Sequence, residues 1–118
     1  QTIEKEAISD LDKGFVSRFK SLVEERMKDA ELNVEDLGRN MGMSRVQLYR
    51  KLKSLTNYSP NELLRQMRLK KAASLLASSD MTVAEIAYEV GFSSPSYFTK
   101  CYKEQFGESP TEFLKRRG

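Results

Sequence analysis

Two groups of side chains in this sequence are of the kinds that contact a polyanion, and they recur in two similar stretches. The first group is Arg45, Val46, Tyr49, Arg50 and Lys53; the second is Ser96, Tyr97, Thr99, Lys100 and Lys103. Their steps of one, three and four fit one exposed face near the start of a helix. An arginine fork on such a face can pair with O6 and N7 of guanine, which makes Arg50 the first candidate for a base contact. Val46 and Tyr49 suit thymine methyls or the backbone, and Arg45 and Lys53, at the margins, suit phosphates. The second group is less cationic, so weaker base discrimination and more phosphate positioning are expected of it. An exposed Arg or Lys is in most proteins simply solvated. The frame that carries these residues therefore decides their meaning.

Charge is distributed unevenly along the 118 residues. The net charge is only +3. Residues 1–43 hold seven basic and ten acidic side chains, whereas residues 44–71 hold eight basic ones and only Glu62. A central block that basic is the footprint of a polyanion partner. Histidine is absent and Cys101 is the only cysteine, which excludes internal disulfides, Cys/His zinc sites and histidine-based acid–base chemistry. No metal, cofactor or catalytic residue is expected, and Cys101 on an apolar stripe reads as a small core residue. No apolar run approaches the ~18 residues of a membrane span, and no signal peptide is visible. A reducing, cytoplasmic setting fits the cysteine usage. The chain starts with Gln1, so it is expected to be a piece of something longer.

The elements that must position the two groups follow from periodicity, caps and stops. Residues 1–11 read as a linker or tail from a preceding region, and residues 12–118 as the folded domain. Phe15, Phe19, Leu22, Val23 and Met27 predict a first helix capped by Asp12. Asn33 caps a short helix with Val34, Leu37 and Met41 inward, and Gly42 stops it. Ser44 caps the next, with Leu48, Leu52 and Leu55 as its buried stripe and Asn57 as a left-handed stop. Ser59-Pro60-Asn61-Glu62 is a capping box opening a long helix to about Ala77, with Leu63, Leu64, Met67, Ala72, Leu75 and Leu76 apolar. Thr82 and Glu85 form another box before Ile86, Ala87 and Val90; Gly91 ends that helix. Ser94-Pro95 opens a helix with Phe98, Cys101 and Tyr102 inward, and Ser109-Pro110-Thr111-Glu112 opens the last, closed by Lys115, Arg116 and Arg117.

These elements repeat. LGRNMGM (37–43) aligns with IAYEVGF (86–92) at an offset of 49, and from Ser44 onward the offset is 50 because the second turn holds one extra residue, Ser93. Ser44 then pairs with Ser94, Leu48 with Phe98, Leu52 with Tyr102, Arg50 with Lys100, Lys53 with Lys103, Asn57 with Gly107, and Ser59-Pro60 with Ser109-Pro110. Matched caps, stops and core positions predict two helix-turn-helix units, about 33–57 and 82–107, joined by a linker helix of about 60–77. That linker, at ~1.5 Å per residue, spans about 27 Å, and two reading helices in successive major grooves lie ~34 Å apart. The expected fold is all-α, with seven helices.

From Ile86 to Phe98 the pattern I-A-x-x-V-G-F-x-x-x-S-Y-F, continued by Lys100, Tyr102-Lys103, Phe106-Gly107 and Ser109-Pro110, resembles the DNA-binding domain of the AraC/XylS family of transcription regulators. The resemblance covers residues 12–117. It implies seven helices, sequence-specific binding of double-stranded promoter DNA through two recognition helices in adjacent major grooves, and activation through RNA polymerase. Gly38 departs from the family's usual alanine, at a cost of ~1 kcal/mol of helix propensity. The acidic lead-in of residues 1–11 resembles the junction found where a two-component sensor or receiver region precedes the module. The implied setting is the bacterial cytoplasm, at the nucleoid, with dimerisation through regions outside this segment.

A helical module that docks an acidic protein and never touches DNA is the competing function. An enzyme is excluded more strongly, for want of a phosphate-binding glycine loop, a nucleophile elbow or a metal cluster. In either surviving case the Leu, Met and Phe stripes are core. Arg65, Arg68, Lys70 and Lys71 either line phosphates or solvate the linker helix.

Overall fold

A computed structural model of the chain describes residues 9–117. Among them are seven α-helices and no strand: α1 (Asp10–Arg26), α2 (Val34–Asn40), α3 (Arg45–Thr56), α4 (Pro60–Ser78), α5 (Val83–Glu89), α6 (Pro95–Phe106) and α7 (Pro110–Arg117). The all-α, seven-helix expectation holds.

Local chemistry sets the boundaries. Asn33 Oδ1 accepts from the Asp36 N–H at 2.9 Å and starts α2. Reciprocal capping boxes start α4 (Ser59 and Glu62), α5 (Thr82 and Glu85) and α7 (Ser109 and Glu112). Asn57 and Gly107 close α3 and α6 in the left-handed region, with φ of 67° and 82°. Each returns its N–H to a carbonyl four residues back, Lys53 and Lys103 respectively. The repeat inferred from the sequence thus extends to the stops.

One start differs from expectation. Helix α1 begins at Asp10 rather than Asp12, because Ser9 Oγ accepts the Asp12 N–H at 3.1 Å and serves as the cap. Asp10 and Asp12 then sit in the first turn, where the helix dipole favours carboxylates. Residues 10 and 11 therefore belong to the helix; the remainder of the expected tail, residues 1–8, lies outside the described residues.

The described residues divide into two compact units, one made of residues 9–26 and 32–63 and the other of 27–31 and 64–117. In the first, Phe19 and Val23 of α1, Val34 and Leu37 of α2, Leu48 and Leu52 of α3, and Leu32 and Leu63 are buried. In the second, Leu69, Ala72 and Leu76 of α4 pack with Ile86, Ala87 and Val90, with Phe92, and with Phe98, Cys101 and Tyr102 of α6. Burying a side chain such as Phe98 or Leu76 contributes about 1.5–3 kcal/mol. Phe92, Phe98, Tyr102 and Phe106 follow one another with ring centroids 5.2, 5.9 and 4.6 Å apart. The tilted and edge-on geometry of these rings adds to the area term. Leu69 belongs to this core although the sequence reading omitted it, and Leu55 is only half-buried.

Candidate nucleic-acid interface

Within the first unit, α3 turns Leu48 and Leu52 inward, so that the opposite face is left to solvent. Arg45, Val46, Tyr49, Arg50 and Lys53 are all exposed on α3, with Val46 at 57% and Tyr49 at 48%. Val46 and the Tyr49 ring leave apolar surface in contact with water beside cations, and a docked surface would relieve that hydration cost. Lys53 lies 3.9 Å from Glu62, whose carboxylate also closes the cap of α4. Lys51, one position off the face, is engaged with α1: its Nζ is 3.6 Å from Asp12 and 5.2 Å from the centre of the Phe15 ring. On α3, then, Lys51 and Lys53 each have an acidic partner, and Arg45 and Arg50 are exposed.

In the second unit α6 behaves alike. Phe98, Cys101 and Tyr102 face the core, Cys101 at 5% exposure as its core reading requires. Ser96, Tyr97, Lys100 and Lys103 are exposed, and Thr99 is half-buried. The Tyr97 ring leans on Phe92 at 6.0 Å. The neighbouring Cys101 thiol raises the Tyr97 pKa, while Arg65 of α4 acts in the opposite sense. Each predicted group is therefore brought together on one face of one helix within its own unit.

The linker-helix cations separate as well. Arg65, Lys70 and Lys71 are exposed. Arg68 is turned inward: its Nη2 donates to the Asp29 carbonyl at 2.8 Å, and burial lowers its pKa, with Asp29 partly offsetting. It holds the 27–31 segment within the second unit and is a structural residue.

The helix starts show a further pattern. Carboxylates occupy the first turns of α1 (Asp10, Asp12), α2 (Glu35, Asp36), α4 (Glu62), α5 (Glu85) and α7 (Glu112). Helices α3 and α6 have none. In α3 the reciprocal partner of Ser44 is the neutral Gln47, whose Oε1 accepts the Ser44 N–H at 2.9 Å. In α6 the corresponding place is Tyr97, whose N–H goes to Ser94 Oγ at 3.2 Å. A helix start carries about half a positive charge, and a carboxylate placed there would cancel it. The starts at Ser44 and Ser94 therefore suit a phosphate, and the start at Ser109, closed by Glu112, does not. Gln47 lies outside the predicted groups, although S-x-x-Q from Ser44 to Gln47 signals its capping role in the sequence.

Among the described residues no group of His, Cys, Asp and Glu could hold a metal, and no helix is long and apolar enough to cross a membrane.

Two cap-matched helix-turn-helix units, each with an acid-free start on its second helix, fit a DNA-binding domain, and a family model described as a helix-turn-helix domain matches residues 37–116. The chain belongs to the AraC/XylS family of transcription regulators, as its DNA-binding domain. It is 37% identical over 109 residues to histidine kinase P4 of Formosa agariphila, covering 92% of this chain and 8% of that protein. Its fold matches a transcriptional regulator with an AraC-type DNA-binding domain from Chromobacterium violaceum, with a TM-score of 0.83, 26% identity and coverage of 93% of this chain and 97% of that one. It also matches the DNA-binding domain of the global transcriptional factor AdpA in complex with a target DNA, with a TM-score of 0.79, 30% identity and coverage of 85% and 89%. The chain spans from 8% to 37% of the lengths of the first curated relatives it matches. This family's domain binds DNA and is not an enzyme.

Proposed function

We propose that residues 12–118 read promoter DNA by placing α3 and α6 in adjacent major grooves, as the output module of a longer regulator. The observation that carries this is the pairing of exposed side chains with helix starts free of carboxylate on these two helices and on no other described helix. Arg50 reads a base; Val46 and Tyr49 contact thymine methyls or sugars; Arg45 and Lys53 contact phosphates. On α6, Ser96, Tyr97, Thr99, Lys100 and Lys103 contribute more positioning and less discrimination. Regulation is by activation through RNA polymerase, with dimerisation through other regions of the protein, in the cytoplasm at the nucleoid. The likeness to a histidine kinase supports a two-component setting, and AdpA's target DNA supports the duplex as ligand.

Selection from a random duplex pool tests this reading. It should return two short submotifs about one helical turn apart, ~34 Å. Binding of the selected duplex should weaken linearly in log salt as counterions are released. Arg50→Ala should cost about 1–3 kcal/mol and relax preference in one submotif only. No selected sequence, together with tight binding to an acidic protein, would replace it with the docking-module reading.

A further inference from the structure

The two turns of the repeat are alike up to one point and then part. In the first, the Gly42 N–H donates to the Arg39 carbonyl at 3.1 Å and the Met43 N–H to the Gly38 carbonyl at 2.8 Å. In the second, Gly91 donates to Tyr88 at 3.1 Å and Phe92 to Ala87 at 2.9 Å. The first turn then passes straight to its cap, Ser44, at φ −73° and ψ 164°. The second inserts Ser93 before its cap, Ser94, at φ −133° and ψ 115°. With one residue fewer to reach its helix, the first turn leaves the Met43 carbonyl over Gly38. A Cβ on Gly38 would stand 2.8 Å from that oxygen, too close for a carbon that is not bonded to it. At the matching place in the longer turn, Ala87 carries a Cβ and is fully buried. The glycine thus belongs with the short turn, and helix propensity alone does not describe what alanine would do there.

We propose that Gly38 is a positioning residue for base reading: its missing side chain lets the short turn close against α2 and so sets the pose of α3. This rests on α3 being a reading helix. A methyl at residue 38 displaces the Met43 carbonyl and, with it, Ser44. The hydroxyl and N–H of Ser44 form the box with Gln47 that starts α3. Leu48 and Leu52 meanwhile hold the body of the helix in the core, so the displacement falls on the N-terminal end, which carries Arg45 and Val46. Reading groups must be held to roughly 0.5 Å.

The test uses Gly38→Ala, a variant with serine inserted between Met43 and Ser44 to copy the longer turn, and the two combined. Affinities are measured on the selected duplex and on duplexes with either submotif scrambled, alongside thermal unfolding. Gly38→Ala should lose about tenfold on the intact site, lose little when the first submotif is scrambled, and keep its dependence on the second. In the insertion background the same substitution should cost no more than about threefold. Equal losses in both backgrounds, losses independent of the first submotif, or no loss at all each overturn the proposal. Failure of the unsubstituted chain to select any duplex overturns the reading-helix assignment instead.

Discussion

Arg68 occupies space that a side chain at Gly91 would need. A Cβ on Gly91 would stand 2.7 Å from Arg68 Nε and 2.0 Å from the Met27 carbonyl oxygen, and the residue's φ is +99°. The turn of the second helix-turn-helix unit, helix α4 and the 27–31 segment therefore meet at one atom-sized gap. The Arg68 bond to the Asp29 carbonyl and the 3.2 Å ion pair between Lys28 and Glu89 close it from both sides. Gly91 serves packing as well as the reversal of the chain.

Gly91→Ala should accordingly cost about 3 kcal/mol or more, combining left-handed strain with an overlap that only backbone movement relieves. Gly107 also has a positive φ, 82°, but nothing within 4 Å of a Cβ, so Gly107→Ala should cost about 1 kcal/mol. Urea unfolding of both variants checks the contrast. Equal losses would mean that φ alone, and not the gap, sets the penalty.

Arg68→Met asks whether this cation is structural. Its Nε is buried without a hydrogen-bond partner, so the guanidinium costs as well as holds. Methionine keeps the aliphatic bulk, and the stability change should stay within about 1 kcal/mol. The salt dependence of DNA binding should not move. Arg45→Ala, which removes the proposed phosphate contact, should lower that slope by about 0.9. A drop of the same size for Arg68→Met would show that Arg68 swings out to the DNA.

Most of the fold was legible because caps and stops are local. Ser59-Pro60-Asn61-Glu62, Thr82 to Glu85 and Ser109 to Glu112 state their helix starts in four residues, and Asn57, Gly91 and Gly107 state their ends. The start of α1 was misplaced because Ser9 and Asp12 are both good caps, and the choice depends on which backbone N–H is left free. Leu69 was overlooked inside a run of basic residues, although its steps to Ala72 and Leu76 match the buried stripe. At the candidate site the faces of α3 and α6 followed from the positions of Leu48 and Phe98. The role of Arg68 did not, since its partner is a carbonyl 39 residues away in sequence.

The last helix carries an acid-sensitive cap. The Ser109 N–H and then the Ser109 hydroxyl hold Glu112 below its ordinary value of 4.5. A carboxylate depressed in the folded state adds stability that is present above its unfolded pKa and lost as pH falls through the folded one. Glu112→Gln keeps an acceptor for the cap and does not titrate. The unsubstituted chain should therefore melt higher near neutral pH, with the gap closing as pH drops below about 4.5. Melting curves across that range check it; a constant gap would remove the carboxylate's charge from the account. Glu108, held low by Arg116, titrates in the same window, so the comparison must be between the two chains rather than across pH alone.

The absence of carboxylates from the starts of α3 and α6 can be tested without disturbing the fold. Gln47→Glu supplies the usual partner of a serine cap, so the box with Ser44 should persist and stability should hold or rise by about 0.3–1 kcal/mol through the dipole. The same carboxylate would face phosphates if α3 enters a groove. Affinity for the selected duplex should then fall about tenfold or more at low salt, with the log-salt slope shallower by about 0.9 for each phosphate that α3 no longer neutralises. Glu85→Gln is the matched control, because it changes the equivalent position of the Thr82 box on α5, outside the proposed pair of reading helices. It should lose a little stability and leave DNA binding unchanged. Fluorescence anisotropy and melting curves on both variants separate the two outcomes. Binding by Gln47→Glu as tight as that of the unsubstituted chain would show that the start of α3 does not face phosphates, and that its missing carboxylate has no part in recognition.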